Sequence, residues 1–177
     1  MSDIIQLKNP QTNMYCEFKK AISKSDFAWH HHPPSSSGKN PGMFSHTFLR
    51  RPEPTNTFPI VACSGGVNFA QDVIKEILYH NDITVNCFYR INLNMVYPQS
   101  GNQQTLVHVD HPWPHNNILI YFSSEGKTIL ENDEHDPKED DVIIFPGLPH
   151  CMELPKNDMR LVLVATCLTS SLISSLP

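Results

Sequence analysis

Residues 105–115 read TLVHVDHPWPH, and the last eight of them hold one aspartate and three histidines. The apolar residues that precede the first histidine predict a short β-strand over 105–109. Because successive side chains of a strand point to opposite faces, His108 and Asp110 would lie on one face. An imidazole and a carboxylate placed together offer two ligands to a divalent metal ion. The stretch therefore predicts a metal site at the end of a strand.

Two residues further along the chain fit the same site. His150 follows a Pro-Gly turn in FPGLPHCMEL, where it would add a third ligand from a later strand. Two imidazoles and one carboxylate occupy one face of an octahedral ion and leave the other positions open, a set diagnostic of non-haem Fe(II) oxygenases. Arg160 opens the run RLVLVAT. Its guanidinium could hold a carboxylate in a bidentate fork while the same molecule chelates the metal.

The surrounding sequence is organised as short β-like runs. From residue 83 onward, turn residues separate the runs ITVNCFYRINLNMVY, TLVHV, NILIYF, KTIL, DVIIF, CMEL and RLVLVATCL. About seven short strands of this kind predict an antiparallel sandwich or barrel. Upstream, FSHTFL predicts one more strand, and NFAQDVIKEILYH predicts a helix with Asn68 as its N-cap.

Residues 83–168 resemble the iron- and 2-oxoglutarate-dependent dioxygenases, and within them the prolyl hydroxylases of the small viral and bacterial type. The resemblance lies in VYPQSGNQQTLVHVDHP, ILIYFSSEGKT, DVIIFPGLPH and the arginine of MRLVLVAT. It implies a mainly β fold, the double-stranded β-helix or cupin-like jelly-roll, with one or two N-terminal helices. The sequence departs from the family in the turn GKTIL, where Leu130 replaces a usual aromatic residue.

The resemblance also implies a set of functional residues and cofactors. Fe(II) would be held by His108, Asp110 and His150, and 2-oxoglutarate would pair with Arg160, these four being the catalytic residues. Further contacts to 2-oxoglutarate are implied for Tyr97, Tyr121, Asn94 and Asn117. O2 is the second co-substrate, ascorbate is an optional accessory, and the reaction is the hydroxylation of an unactivated C–H bond. The implied substrate is a prolyl residue in a peptide or protein, with a free amino acid or another small metabolite as the alternative.

Two other classes of function stay open from the sequence. The segment HVDH resembles the HxHxDH motif of the metallo-β-lactamases, which are zinc hydrolases, but that motif needs a histidine where Leu106 stands. A jelly-roll binding module without catalytic activity is the other alternative, and the complete ligand set together with Arg160 argues against it. Iron dependence with succinate release would indicate the oxygenase, zinc the hydrolase, and neither metal the binding module.

The N-terminal part of the chain carries no motif of its own. We expect residues 1–177 to form a single dioxygenase domain, in which 1–82 is a supporting or lid region with a helix and 83–170 is the jelly-roll core. Segment 27–58 is rich in Pro, Ser, Asn and His. It is predicted either to cover the iron site as a lid or to cover the outer sheet with its aromatic residues.

The remaining histidines have weaker assignments. His111 and His115 flank Trp113 in HPWPH, which is predicted to be either a substrate-facing lip beside the iron or a solvated loop. His135 lies in the acidic stretch ENDEHDPKEDD, which predicts a solvated turn. Nonspecific metal binding could involve the three consecutive residues His30, His31 and His32.

Composition and charge exclude some partners. The net charge of -5 gives no reason to expect nucleic acid or an anionic membrane as a partner. No apolar run approaches the roughly 20 residues that span a bilayer, and the first residues lack the features of a secretory signal. Five scattered cysteines without a CxxC pair indicate a reducing compartment, which predicts a cytoplasmic protein. The sequence leaves the oligomeric state open.

Overall fold

The computed structural model describes residues 2–34, 41–52, 60–100 and 104–170. In chain order its elements are β1 (Ile5–Leu7), α1 (Asn13–Ile22), β2 (His30–His32), β3 (Met43–Arg50), β4 (Val61–Ala62), α2 (Val67–His80), β5 (Val85–Val96), β6 (Asn116–Tyr121), β7 (Thr128–Leu130), β8 (Glu134–His135), β9 (Val142–Pro146), β10 (His150–Met152) and β11 (Arg160–Thr169). The strands predicted from the runs after residue 83 are present, with one exception, and FSHTFL lies within β3.

The larger sheet is antiparallel, with the strand order β1-β9-β6-β11-β5-β3-β2 and β4 paired to β3. Strand β11 lies near its centre, in register with β5 on one side and β6 on the other. Every residue of β6 is buried. Ile118 and Ile120 pack in a cluster that includes the helices, whereas Leu119 and Tyr121 pack in a second cluster with Leu130 of β7. Burial on both faces explains why this strand reads as an almost continuous apolar run.

The smaller sheet has the order β10-β7-β8 and faces the second cluster. Residues 104–108 extend it beside β10 through two isolated bridges, Gln104 to Glu153 and His108 to His150. The two antiparallel sheets thus face each other across an interior, in which Leu130 of the smaller sheet packs against side chains of the larger one. This arrangement is a double-stranded β-helix, and the predicted fold class is confirmed.

The strand predicted over 105–109 is wrong. Only single bridges form there, because the backbone N–H of Met152 donates to the Thr105 hydroxyl at 3.0 Å. A side chain that bonds to backbone in this way competes with the regular ladder of a sheet. Val107 in this segment is 65% exposed. His108 therefore lies in an isolated bridge, and Asp110 lies in a bend just beyond it.

The two helices pack on the outer face of the larger sheet. Their buried residues are Tyr15, Phe18 and Ile22 in α1 and Ala70, Val73, Ile74, Ile77 and Leu78 in α2. Thr12 is the N-cap of helix α1, and its hydroxyl accepts a hydrogen bond from the N–H of Tyr15 at 3.2 Å. No helix within the described ranges has the length and apolar character needed to cross a bilayer.

The predicted N-cap of α2 is wrong. Gly66 is at the N-cap and makes no side-chain capping bond, so Asn68 lies inside the first turn. The helix begins earlier because the N–H of Val67 bonds to the carbonyl oxygen of Ser64 at 3.2 Å. That turn already sets helical geometry before Asn68 is reached.

Segment 27–58 is described at residues 27–34 and 41–52, and the rest of it lies outside the described residues. Phe27 and Trp29 pack against the outer cluster that contains the helices, and Phe48 is buried within it. In contrast, Met43 lines a cavity that also contains the predicted metal ligands. The described part of the segment thus covers the outer sheet with aromatic residues and also reaches the interior near the site.

Candidate metal centre

The structure brings together the three residues that the sequence predicts as metal ligands. His108 and His150 pair their backbones with both N–H to O distances at 3.0 Å, and their ring centroids are 4.6 Å apart. One carboxylate oxygen of Asp110 lies 3.5 Å from Nε2 of His150. One ligand atom from each of the three residues lies within 4.8 Å of the other two. This spacing fits a single ion bound by all three.

Hydrogen bonds set the tautomer of both imidazoles. Nδ1 of His108 lies 3.1 Å from the carbonyl oxygen of Leu106, and Nδ1 of His150 lies 2.9 Å from that of Leu148. A carbonyl oxygen only accepts, so each Nδ1 carries the proton and each Nε2 keeps a lone pair for a metal. Burial lowers the pKa of His150 below its ordinary value, which favours the neutral ligand form at neutral pH.

Two arginines hold the aspartate. Nη1 of Arg90, on β5, donates to Oδ1 of Asp110 at 2.8 Å, and Nη1 of Arg51 donates to the Asp110 backbone carbonyl at 3.2 Å. The other carboxylate oxygen, Oδ2, is the one that faces His150. Burial by itself would raise the pKa of the Asp110 carboxyl, but the positive charge of Arg90 lowers it below its ordinary value. The carboxylate is therefore ionised and offers one oxygen to a metal.

No sequence motif marks Arg90 as part of the site. The only sequence signal for its role is that Arg90 is the one charged residue in the run ITVNCFYRINLNMVY, where it alternates with Asn92 and Asn94. Its partner Asp110 lies 20 residues away in the chain. The pairing depends on how the segment 104–110, part of which lies beside β10, packs against β5, and local sequence patterns do not encode that packing.

A cavity of about 480 Å³ opens beside the three ligands and has Arg160 in its wall. That volume lies in the range of about 300–1,000 Å³ that small-molecule sites occupy. Arg160 stands opposite Val96 on β5, whereas Arg90 stands opposite Thr166 on β11. An offset of six residues places the backbones of the two arginines roughly 20 Å apart along the strands. The two guanidinium groups therefore belong to different ends of the cavity.

Arg160 is a buried cation without an acidic partner among the described residues. Its Nε donates to the carbonyl oxygen of Gly126 at 3.0 Å and its Nη2 to Oγ1 of Thr128 at 3.2 Å. The guanidinium carbon lies 5.4 Å from the ring centroid of Tyr121. Burial lowers its pKa, yet an arginine keeps its charge in a protein. Because a buried unpaired charge is costly, this end of the cavity fits the carboxylate of a small anion.

The implied 2-oxoglutarate contacts lie in different places. Asn94 lines the cavity, and its side-chain oxygen accepts a hydrogen bond from the amide of Asn92. Tyr121 is fully buried beneath Arg160, and its hydroxyl lies 2.7 Å from Oγ1 of Thr128. Thr128 itself lines the cavity and connects Tyr121 to Arg160. This threonine lies in the GKTIL turn of the family resemblance but is not among the predicted contacts.

Tyr97 and Asn117 are not among the described residues that line this cavity. Tyr97 is 47% exposed and its ring lies edge-on to that of Phe44. Asn117 is fully buried in β6, and neither polar atom of its side chain has a hydrogen-bond partner in the described part of the chain. The structure therefore does not bring these two residues to the position that the resemblance implies for them.

His111 and His115 are buried, which excludes a solvated loop for these two rings. Nε2 of His111 lies 2.8 Å from Oγ1 of Thr166, and its ring stacks on Trp113 with the centroids 4.9 Å apart. Burial lowers the pKa of His111 to about 4, so the ring is neutral at neutral pH. The ring of His115 lies directly over Gly147, where a Cβ atom would meet it at 2.3 Å.

His135 does not lie in a solvated turn. Its side chain is only 12% exposed, and its Nε2 is 3.2 Å from a carboxylate oxygen of Asp141. The acidic stretch is therefore anchored at this point, since a short strand, β8, places the ring against Tyr121.

No protein-family model matches the sequence, and no curated protein matches it either. Two solved structures are similar over most of the chain. One is an oxidoreductase of the 2OG-Fe(II) oxygenase family from Burkholderia pseudomallei, with a TM-score of 0.64, 10% identity, and coverage of 93% of this chain and 84% of that one. The other is a prolyl-4-hydroxylase from Pseudomonas putida, with a TM-score of 0.53, 13% identity, and coverage of 94% and 92%. These likenesses show the fold.

Proposed function

We propose that the protein is an Fe(II)- and 2-oxoglutarate-dependent oxygenase that hydroxylates an unactivated C–H bond. The observation that carries the proposal is one cavity in which two imidazoles, one carboxylate and a buried, unpaired guanidinium converge. The three ligands suit an iron ion with open positions. The guanidinium suits the far carboxylate of a ketoacid that chelates the same ion. The likeness in fold to the oxygenase from Burkholderia pseudomallei supports the proposal.

Each part of the cavity has a role in this reaction. Bound Fe(II) and 2-oxoglutarate would supply the oxidising chemistry, in which a substrate C–H, O2 and 2-oxoglutarate become C–OH, succinate and CO2. The three ligands would hold the ion, and Arg160 would hold the far carboxylate of 2-oxoglutarate. The apolar side chains of Leu119 and Val164 in the wall would reduce access of water to a bound ketoacid.

We favour a prolyl residue in a peptide or protein as the substrate. The sequence resemblance implies it, and one of the structures with the same fold is a prolyl-4-hydroxylase. A free amino acid or another small metabolite is the second candidate, because the cavity of about 480 Å³ has the volume of a small-molecule site. The cytoplasm remains the predicted location.

The experiment is a metal and co-substrate titration of purified protein stripped with a chelator. We expect succinate to form only when Fe(II), 2-oxoglutarate and O2 are all present. Succinate forms slowly even without substrate in such a reaction, so the assay does not require the substrate to be known. His108→Ala, Asp110→Ala and His150→Ala should each reduce succinate release by at least about a hundredfold, because each removes a ligand of the ion.

The matched control is Lys75→Gln, which changes an exposed charge on α2 that pairs only with Asp72 in the described residues. It should behave as wild type. If zinc alone restored a hydrolytic activity to the stripped protein, the protein would instead be a zinc hydrolase. Equal succinate release from wild type and Asp110→Ala would refute the oxygenase proposal.

A further inference from the structure

A second and larger cavity lies next to the metal centre. Its volume is about 1150 Å³, and it shares Arg51 and Asp110 with the first cavity. Arg50 and Trp113 also line it. The volume exceeds the range of about 300–1,000 Å³ for small-molecule sites. This cavity is therefore placed to hold the part of a large substrate that surrounds the reacting carbon.

Positive charge dominates the described wall of this cavity. Arg50 and Arg51 are exposed, and neither forms an ion pair with an acidic side chain of the described ranges. Asp110 is the one acidic residue among the described lining residues, and Arg90 already holds its carboxylate. In a chain of net charge -5, two guanidinium groups at one opening are a local excess of positive charge. Such an excess attracts carboxylates.

Arg51 is held in position beside the metal ligands. Its single described hydrogen bond runs from Nη1 to the backbone carbonyl of Asp110, at 3.2 Å. A guanidinium has five N–H donors, so most of them remain available to a ligand. A carboxylate bound there would lie beside the residue that carries a metal-binding oxygen.

Trp113 provides a rigid aromatic surface in the same wall. One face of its ring stacks on His111, with an interplanar angle of 17°, and the edge of Tyr89 approaches it with centroids 6.0 Å apart. Pro112 and Pro114 flank it and are exposed. A side chain that is already immobilised loses little entropy on binding. Grooves lined by such aromatic residues bind extended, proline-containing peptides.

We propose that this second cavity binds an extended acidic peptide, with a peptide carboxylate on Arg51 and an apolar or prolyl residue on Trp113. The inference rests on the proposed function, because it assigns the substrate class of that same site. It selects a peptide over a free acid because the volume, the flanking prolines and the aromatic surface all extend beyond what one small molecule would contact.

The test measures binding rather than turnover. A pool of proline-centred peptides of about ten residues, long enough to extend roughly 33 Å, is synthesised with Asp in half of the members and isosteric Asn in the other half. Binding to protein loaded with redox-inert Zn(II) and 2-oxoglutarate, without O2, is measured by fluorescence anisotropy and by recovery of bound peptides. Because no oxidation occurs, binding is separated from catalysis.

We expect members with Asp to bind wild type about tenfold more tightly than their Asn partners, as a charge-assisted bidentate pair does. Arg51→Gln should abolish this preference, and Arg51→Glu should invert it. Trp113→Ala should weaken both series and leave the ratio between them unchanged. Lys75→Gln, an equal loss of one positive charge on α2, should keep the wild-type preference, which excludes an effect of net charge.

Three results would overturn the inference: no peptide bound by wild type, equal binding of the Asp and Asn series, or a preference that survives Arg51→Gln. N-acetylaspartate amide that competes as well as the best peptide would also overturn it, in favour of a free small acid. Failure of the proposed function would be seen separately, since succinate release would be absent while the Asp preference persisted.

Discussion

At the candidate metal centre, the Arg90 guanidinium donates a hydrogen bond to Oδ1 of Asp110 and leaves Oδ2 facing His150. Aspartate can bind a metal through one or both oxygens, so this hydrogen bond determines which oxygen remains available. Arg90 would also be a positive charge close to a bound ion, which would oppose metal binding. The two effects have opposite signs, and partners that orient metal ligands typically change metal affinity by about 10–100-fold. We expect the orientation of the carboxylate to outweigh the charge repulsion, because the Asp110 carboxylate would lie between the Arg90 guanidinium and a bound metal ion.

The first prediction concerns Arg90→Gln. Loss of the guanidinium leaves the buried carboxylate without its counter-charge and without a fixed orientation. We expect the dissociation constant for Mn(II) to rise by about tenfold, measured by calorimetry on the chelator-stripped protein. Arg90→Lys keeps the charge but loses the planar fork, so its dissociation constant for Mn(II) should lie between those of wild type and Arg90→Gln. Tighter Mn(II) binding by Arg90→Gln would mean that repulsion dominates.

The second prediction concerns Arg160→Lys. Lysine keeps the positive charge but cannot make the bonds of Nε to Gly126 and Nη2 to Thr128 at the same time as a bidentate pair with a carboxylate. We expect the KM for 2-oxoglutarate to rise by about tenfold or more, while Mn(II) affinity stays close to wild type. An unchanged KM would place Arg160 outside the co-substrate site.

Among the elements, sequence reasoning succeeds where a strand is buried and fails where tertiary bonds replace a regular ladder. Residues 118–121 are apolar and buried on both faces, and β6 forms over Asn116–Tyr121. Residues 105–109 look equally strand-like, but Thr105 bonds to Met152 through its hydroxyl, and only isolated bridges form. The sequence nevertheless points to the three candidate metal ligands that the structure brings together, because their residue types and spacing carry the signal. Arg90 and Thr128 were not predictable, because each acts through a partner that is distant in the chain.

The third prediction concerns the turn that precedes β7. Gly126 has φ of 74°, and a Cβ atom there would lie 2.5 Å from Cδ of Arg160 and 2.8 Å from the carbonyl oxygen of Glu153. Gly126→Ala should therefore lower the free energy of unfolding by roughly 1–3 kcal/mol. It should also raise the KM for 2-oxoglutarate, because Arg160 must move.

Gly65→Ala is the matched control, since a Cβ atom at Gly65 has no atom within 4 Å. Chemical denaturation and co-substrate kinetics of both variants check the prediction. A Gly126→Ala protein with wild-type KM and stability would show that the arginine does not depend on this close approach.

At the scale of the whole molecule, the site lies where the two sheets and the segment 104–115 meet, so its groups are buried by distant parts of the chain. His111 illustrates the consequence. Thr166 of β11, Trp113 and Tyr89 of β5 enclose its ring. A histidine buried in this way is stable in the fold only as the neutral form.

The last prediction is the pH dependence of stability that follows from this burial. Burial lowers the pKa of His111 to about 4 in the folded protein, whereas in an unfolded chain a histidine has a pKa of about 6.5. Between these values the unfolded chain binds a proton that the folded protein does not. The contribution of His111 is therefore fully present above about pH 6.5 and is lost as the pH falls toward 4.

His111→Gln removes this titration and retains a group that can bond to Thr166. On going from pH 7 to pH 5, we expect metal-free wild type to lose on the order of 1–2 kcal/mol more unfolding free energy than the variant. Urea denaturation at the two pH values measures the difference, and titration of the metal ligands cancels because both proteins share it. His31→Gln, a change at an exposed position, should follow the wild-type profile. Parallel losses in wild type and His111→Gln would show that the folded protein takes up a proton at His111 as readily as the unfolded chain does, and the ring would then not be a buried, neutral support for Trp113.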